Sequence, residues 1–299
     1  MKYKFGFFIL LIIPILNACN DDENSEEMNI QNDNNDEQHH EITEEDNNLT
    51  AILEQSIETM SNLDSFAVTM TSKQEIAFDD ETSRTESITE TSVTYDPFAY
   101  HEETTIVTED RDEEMNIESY FTDDGFYSYE SSLDEWAKFP EELEGDIREL
   151  SAQQQDPERL LEILMAQMDD GTMAAEDGQG HYAITVEGDT EGLQEVSATL
   201  TDTMDGGMDM VLEDILSVAD INDITYEILI DRESYAFQEF NTQIDMDFEA
   251  EEGQNVASRQ TITTSYGSFN EIDEINVPDH VESAAEEIDF QLDLAEENS

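Results

Sequence analysis

From Leu49 onward the chain switches between two hydrophobic periods. In "LTAILEQSIETMSNL", Leu49, Ile52, Leu53, Ile57, Met60 and Leu63 form one stripe at helical spacing, which predicts an amphipathic helix. The period then drops to two. In "SFAVTMTSKQEIAF", Phe66, Val68, Met70, Ile76 and Phe78 share one face, with Thr69, Thr71, Lys73 and Glu75 opposite. Threonine-rich strands are predicted over 84–95, 98–108, 113–121 and 125–130, with turn signals at Asp96-Pro97 and Asp123-Asp124-Gly125.

Helical spacing returns after Asp156-Pro157, an acid at the cap followed by proline in the first turn. Leu160, Leu161, Leu164, Met165 and Met168 supply the apolar side. Strand "HYAITVEG" follows, then helical stripes at Leu193, Val196 and Leu200 and, past Gly206-Gly207, at Met208, Val211, Leu212, Ile215 and Leu216. The C-terminal part reads as a hairpin turning near Asp231 to Ser234. Ile224, Tyr226, Ile228 and Ile230 share a face before the turn, and Phe240, Ile244, Met246 and Phe248 after it. A last strand over 256–268 carries Val256, Ile262 and Tyr266. A large antiparallel sheet with one apolar face must cover that face, and only the helices can do so. The expected fold is therefore α+β: a large curved antiparallel sheet wrapped around a few helices in one domain over 49–289.

The N-terminus is of another kind. Lys2 and Lys4 precede the apolar run "FGFFILLIIPIL", 12 residues against the roughly 20 a membrane-spanning helix needs. This is the build of a secretory signal peptide over 1–18. Leu16-Asn17-Ala18-Cys19 resembles the lipobox of bacterial lipoproteins, although Asn17 is larger and more polar than usual. The resemblance implies a mature chain that starts at a diacylglyceryl-modified Cys19 and is anchored to the extracytoplasmic face of the bacterial cell membrane. Multiple acyl chains anchor durably where one is marginal. Cys19 is the chain's single cysteine, so no internal disulfide is expected. Residues 20 to 48 hold 12 acids and three large apolar residues, too few to offset ordering entropy, and read as a disordered tether from Cys19. Residues 290–299 read as an acidic tail.

Charge excludes further roles. With 78 Asp and Glu against 10 Lys and Arg, the formal net charge is −68, which repels nucleic acid. The acids are spread along the whole chain and suit a salty or alkaline habitat, where screening relieves their repulsion. A monomer is expected.

The helix ending "MSNLDSF", the stretch "FYSYESSLDEWAKF", the hairpin "YEILIDRESY" and the closing "INVPDHVESA" together resemble a family of uncharacterised Gram-positive lipoproteins. That family is similar in fold to the LolA, LolB and LppX lipoprotein-carrier group. The resemblance implies an unclosed, LolA/LppX-like β-barrel whose concave apolar face, partly covered by helices, takes acyl chains in relatives.

GxSxG, HExxH, P-loop and CxxC patterns do not occur, so no enzyme and no cofactor is expected. His39-His40 reads as solvated. In His101-Glu102-Glu103, neighbours on a strand face opposite sides, so no metal site is expected there. His181 and His280 are isolated, and "DMDFEAEE" lacks a calcium loop's alternation. Trp136, Met165, Met168, Met208, Val211 and Leu212 are the candidate lining of an apolar-ligand pocket, with core filling as the competing reading. The expected function is a lipid-anchored, non-catalytic protein holding a lipid or other apolar small molecule. The alternative is an envelope interaction or sensing lipoprotein with a solid core and a protein partner.

Overall fold

Two antiparallel meanders meet where their first and last strands pair. The computed structural model describes residues 44–78, 81–109, 113–166, 172–177, 180–188, 219–250 and 254–287. Helix α1 (Glu44–Met60) leads into the first meander: β1 (Ser65–Phe78), β2 (Glu81–Tyr95), β3 (Phe98–Thr108), β4 (Glu113–Thr122), β5 (Gly125–Glu130) and β6 (Glu135–Lys138). Helices α2 (Glu141–Gln154) and α3 (Pro157–Ala166) follow. The second meander is β7 (Thr172–Asp177), β8 (His181–Gly188), β9 (Ala219–Asp231), β10 (Phe237–Ala250) and β11 (Gln254–Gly267). A short helix α4 (Asp279–Ala284) ends in a two-residue strand β12 (Glu286–Glu287), which runs parallel to β6. The 12-stranded order is β12-β6-β5-β4-β3-β2-β1-β11-β10-β9-β8-β7, with β12 and β7 at open edges. β1 and β11 stay in register from Ala67 opposite Gly267 to Phe78 opposite Val256. The strand pattern predicts the large antiparallel sheet, and the family resemblance its unclosed form.

Helices α1, α2 and α3 occupy one face, the inner one, whereas Val281 of α4 packs with Tyr120 and Tyr127 on the other. From α1, Leu49, Ile52, Leu53 and Met60 are buried, joined by Leu160 and Leu161 of α3. They pack on Ile184 of β8, on Ile224, Tyr226, Ile228 and Ile230 of β9, and on Phe237, Phe240 and Ile244 of β10. Each fully buried large apolar side chain stabilises by ~1.5–3 kcal/mol, so this is the densest source of stability among the described residues. Helix α1 begins at Glu44, five residues before the apolar stripe. Asp156 caps α3 as expected: its Oδ1 accepts from the backbone N–H of Glu158 at 3.0 Å and of Arg159 at 3.4 Å. Burial raises the Asp156 pKa, and those two bonds oppose the shift.

Helix α2 is not apparent from spacing. It has few apolar residues and carries Gly145. Tertiary contacts hold it: Ile147 packs against Phe66, Val93, Tyr100 and Phe121, and the Tyr95 hydroxyl of β2 donates to the Gln155 carbonyl at 2.9 Å. Strands β6 and β7 are also absent from the pattern reading. The expected helical stripes at Leu193 to Leu200 and Met208 to Leu216 lie outside the described residues.

Two turns follow their local chemistry. Gly125 follows the Asp123-Asp124 turn at φ +123°, and a Cβ there would sit 2.9 Å from Lys138 Cε. Between β9 and β10, Asp231 Oδ1 accepts from the backbone N–H of Glu233 and Ser234 and from the Ser234 hydroxyl. The Ser234 donors hold the Asp231 carboxyl below the usual range.

Candidate ligand-binding face

Register determines what the inner face presents across the first meander, because directly opposed residues share a face. The row nearest α2 is aromatic and apolar: Phe126, Phe121, Tyr100, Val93 and Phe66 are successive partners. Tyr100 and Phe121 stack with centroids 5.8 Å apart, and the Arg148 guanidinium of α2 lies 4.9 Å over the Phe121 ring while pairing with Asp123 at 2.8 Å. Burial pushes the Tyr100 hydroxyl up to about 12.

The next rows turn polar. Ser128, Ser119, Glu102 and Thr91 are successive partners, and Thr104 and Thr89 oppose each other one row further on. Ser87 opposes Ser72 beyond them. Ser72, Ser87, Thr89, Thr91, Thr104 and Ser119 are all buried. Five of the six have a side-chain partner: Thr89 and Thr104 share a hydrogen bond of 2.9 Å, Thr91 donates to Glu102 Oε2 at 3.2 Å, Ser119 donates to Ser128 at 3.3 Å, and Gln260 Nε2 donates to Ser72 at 3.3 Å. Glu102 is half-buried in this band. Desolvation raises its pKa, and the Thr91 bond and the His101 charge pull the other way. The band ends at Ser258 of β11, whose hydroxyl is buried with no hydrogen-bond partner.

Of the residues expected to line a pocket, Met165 packs half-buried against the α1–α3 core. Trp136 does not belong to the inner face. It opposes Tyr129, and Tyr127 opposes Lys138, while Phe126 faces inward, so strand alternation turns Trp136 outward. There it packs against Tyr120 at 6.0 Å and Tyr129 at 5.5 Å, beside Tyr127, Val277 and Val281. Met168, Met208, Val211, Leu212 and Cys19 lie outside the described residues. Among the described residues no helix is long and apolar enough to cross a membrane.

The polar band escapes pattern reading because serine and threonine are ordinary on an exposed strand face; register places them on the inner face, and only tertiary packing buries them. The outer face is acidic. A depression there of about 280 Å³ is lined by Glu75, Asp245, Asp247 and Arg259 among others. The Arg259–Asp245 pair at 2.7 Å crosses it, and it offers charge rather than an apolar wall.

Residues 48–286 match the model of a family of unknown function, DUF6612. The chain belongs to that family. No curated protein matches this DUF6612 chain. Among solved structures it is similar to LprF from Mycobacterium bovis, 13% identical over 78% of this chain and 97% of that one, with a TM-score of 0.38. It is also similar to a DUF1329 family protein from Desulfovibrio piger (8% identity, 77% and 94% coverage, TM-score 0.23). A beta-barrel-like protein of DUF1849 from Brucella abortus matches at 9% identity, 69% and 98% coverage and a TM-score of 0.19. These likenesses concern the fold, and neither a ligand nor a catalytic activity follows from them.

Proposed function

We propose that this chain is a lipid-anchored, non-catalytic binding protein on the extracytoplasmic face of a bacterial cell membrane, and that it holds an acyl lipid or similar apolar ligand against its inner sheet face. The observation that carries this reading is the buried hydroxyl band with Glu102, set beside an aromatic row. Burying a hydroxyl costs about 1–3 kcal/mol unless it is partnered, and even partnered it stabilises less than an aliphatic side chain of the same size. A face covered for packing alone would carry aliphatics there, as the same face does beneath α1 and α3. An amphiphile matches both surfaces, its chain against aromatics and methionines and its polar end against hydroxyls. Met165, Met168, Met208, Val211 and Leu212 are the proposed apolar lining, and Cys19 is the proposed anchor.

The test is native mass spectrometry and lipid extraction of the full chain purified from membranes. Acyl species bound at near one per chain, and depleted in Thr91→Val/Ser119→Ala, are the expected result. Protein that carries no lipid and takes up neither fatty acid nor phospholipid would sink the binding reading. Cys19→Ala should shift the chain from the membrane to the soluble fraction, which tests the anchor separately.

A second reading is an envelope protein with a solid core and a protein partner. The dense packing beneath α1 and α3, with Leu53, Leu161, Ile228 and Phe237 wholly buried, favours it for that half of the molecule.

A further inference from the structure

The outer face holds a set of donors that the inner-face function does not use. His101 and Glu103 lie two residues apart on β3 and so share the outer face, while Glu102 between them faces inward. Glu118 of β4 stands directly opposite Glu103, and Tyr120 opposite His101. The result is one imidazole nitrogen and two carboxylates whose nearest donor atoms all lie within 4.8 Å of one another. His101 Nε2 is 3.2 Å from Glu118 Oε1.

Three features separate this cluster from the general acid coat. First, Glu90, Glu103 and Glu118 are successive cross-strand partners, an opposition of like charges that destabilises a sheet unless a cation intervenes. Elsewhere on this face Lys73, Arg84 and Arg259 each meet an opposed acid, and Asp247 stands opposite Asp220 as a pair rather than as a run of three. Among the described residues no lysine or arginine ion pair reaches Glu103 or Glu118. Second, the imidazole is half-buried and held in place, its ring stacked on Tyr120 at 4.3 Å and 18°. Third, the Tyr120 hydroxyl donates to Glu118 Oε1 at 2.9 Å, which orients that carboxylate as outer groups orient metal ligands.

We propose that His101, Glu103 and Glu118 bind one divalent first-row transition-metal ion on the outer face of β3 and β4. Metal–ligand bonds of about 2.0–2.2 Å bring donor atoms on one ion to separations of roughly 3–4.4 Å, so small side-chain rotations close the set. A nitrogen donor beside two carboxylates favours zinc, cobalt or manganese over calcium and magnesium, which prefer all-oxygen shells. Three protein ligands leave the remaining positions to water. The strongly negative surface concentrates cations at the site.

The molecule carries its own reporter. Trp136 is its single tryptophan and lies 6.0 Å from Tyr120, on which His101 stacks. The experiment titrates Co²⁺ into the full chain carrying His39→Ala and His40→Ala, at 150 mM NaCl with millimolar Ca²⁺ present, and follows Trp136 emission. Saturable quenching with one ion per chain, displaced by Zn²⁺ and weakened at least tenfold by both His101→Ala and Glu103→Gln, is expected. His181→Ala should leave it unchanged. Glu103 is exposed, so its variant keeps the test valid should His101→Ala disturb folding, and far-UV circular dichroism checks both. Quenching that rises without saturation, that Ca²⁺ abolishes, or that both variants preserve would overturn the proposal.

Discussion

Beneath α1 and α3 the inner sheet face presents Ile184, Ile224, Ile228 and Ile230. Across β2 to β4 the same face presents Thr91, Thr89, Glu102, Thr104 and Ser119. Both regions are long antiparallel strands with one side turned from water. They differ in what the buried side chains can do. The aliphatic half gains stability from area removed from water and is specified by shape. The hydroxyl half gains little from burial and depends on each group finding a partner, a demand that core packing does not impose. Packing stability is thus concentrated in one half of one continuous face, and the proposed ligand contact lies in the other.

The sharpest break of this comparison is a cavity in the aliphatic half. Ile228→Ala and Leu161→Ala, at positions with no exposure, should each cost about 2–5 kcal/mol in urea unfolding. Losses below 1 kcal/mol would mean that this half is not the stabilising one. In the hydroxyl half the effect should depend on pairing. Thr89→Val alone leaves Thr104 Oγ1 buried without its 2.9 Å partner and should cost about 1–3 kcal/mol. The double variant Thr89→Val/Thr104→Val should recover most of that loss, and additive losses in the cycle would show that the two hydroxyls do not act as a pair.

Glu102 is expected to give a smaller effect of opposite sign. Burial raises its folded pKa above the unfolded value, so between the two values the folded state binds more protons and stability falls as pH rises through that window. Glu102→Gln keeps an acceptor for Thr91 and should raise the neutral-pH melting temperature. Its advantage over the parent should shrink as pH falls towards the unfolded carboxylate range. A variant less stable at neutral pH would show that the ionised carboxylate has a partner that offsets its burial.

The smallest effects should lie on the outer face, outside both halves. Lys73→Ala removes an exposed pair with Glu86 at 3.3 Å and should cost about 0.2–1 kcal/mol, less at high salt. In the same melts the parent chain should gain stability from low to molar salt as its acid–acid repulsion is screened. An unchanged melting temperature would remove habitat salt as the reason for the acid coat.

Much of the strand order was legible. The predicted spans 98–108 and 125–130 coincide with β3 and β5, and 84–95 falls short of β2 by three residues. Period-two alternation is a local property, so those spans needed no knowledge of partners. Helix α2 was not legible, because its stability comes from Ile147 and Arg148 meeting aromatics on β2 to β4 rather than from its own stripe. The face of Trp136 was not legible either: a one-residue change in register within a four-residue strand flips every side chain. His101 and Glu103 could be placed together by alternation, but Glu118 joins them only through the β3–β4 register.

By itself, then, the chain's alternation determined that there are long half-buried strands, where most of them turn, and which residues of a strand travel together. Those features depend on neighbours a few positions away. Tertiary structure decided that β1 lies against β11, which pairs Ala67 with Gly267 from the far end of the domain and joins two meanders into one sheet. It also decided that the serines and threonines of β2 to β4 are an interior. Burial depends on what packs above a face, and that is set by residues far away in the chain.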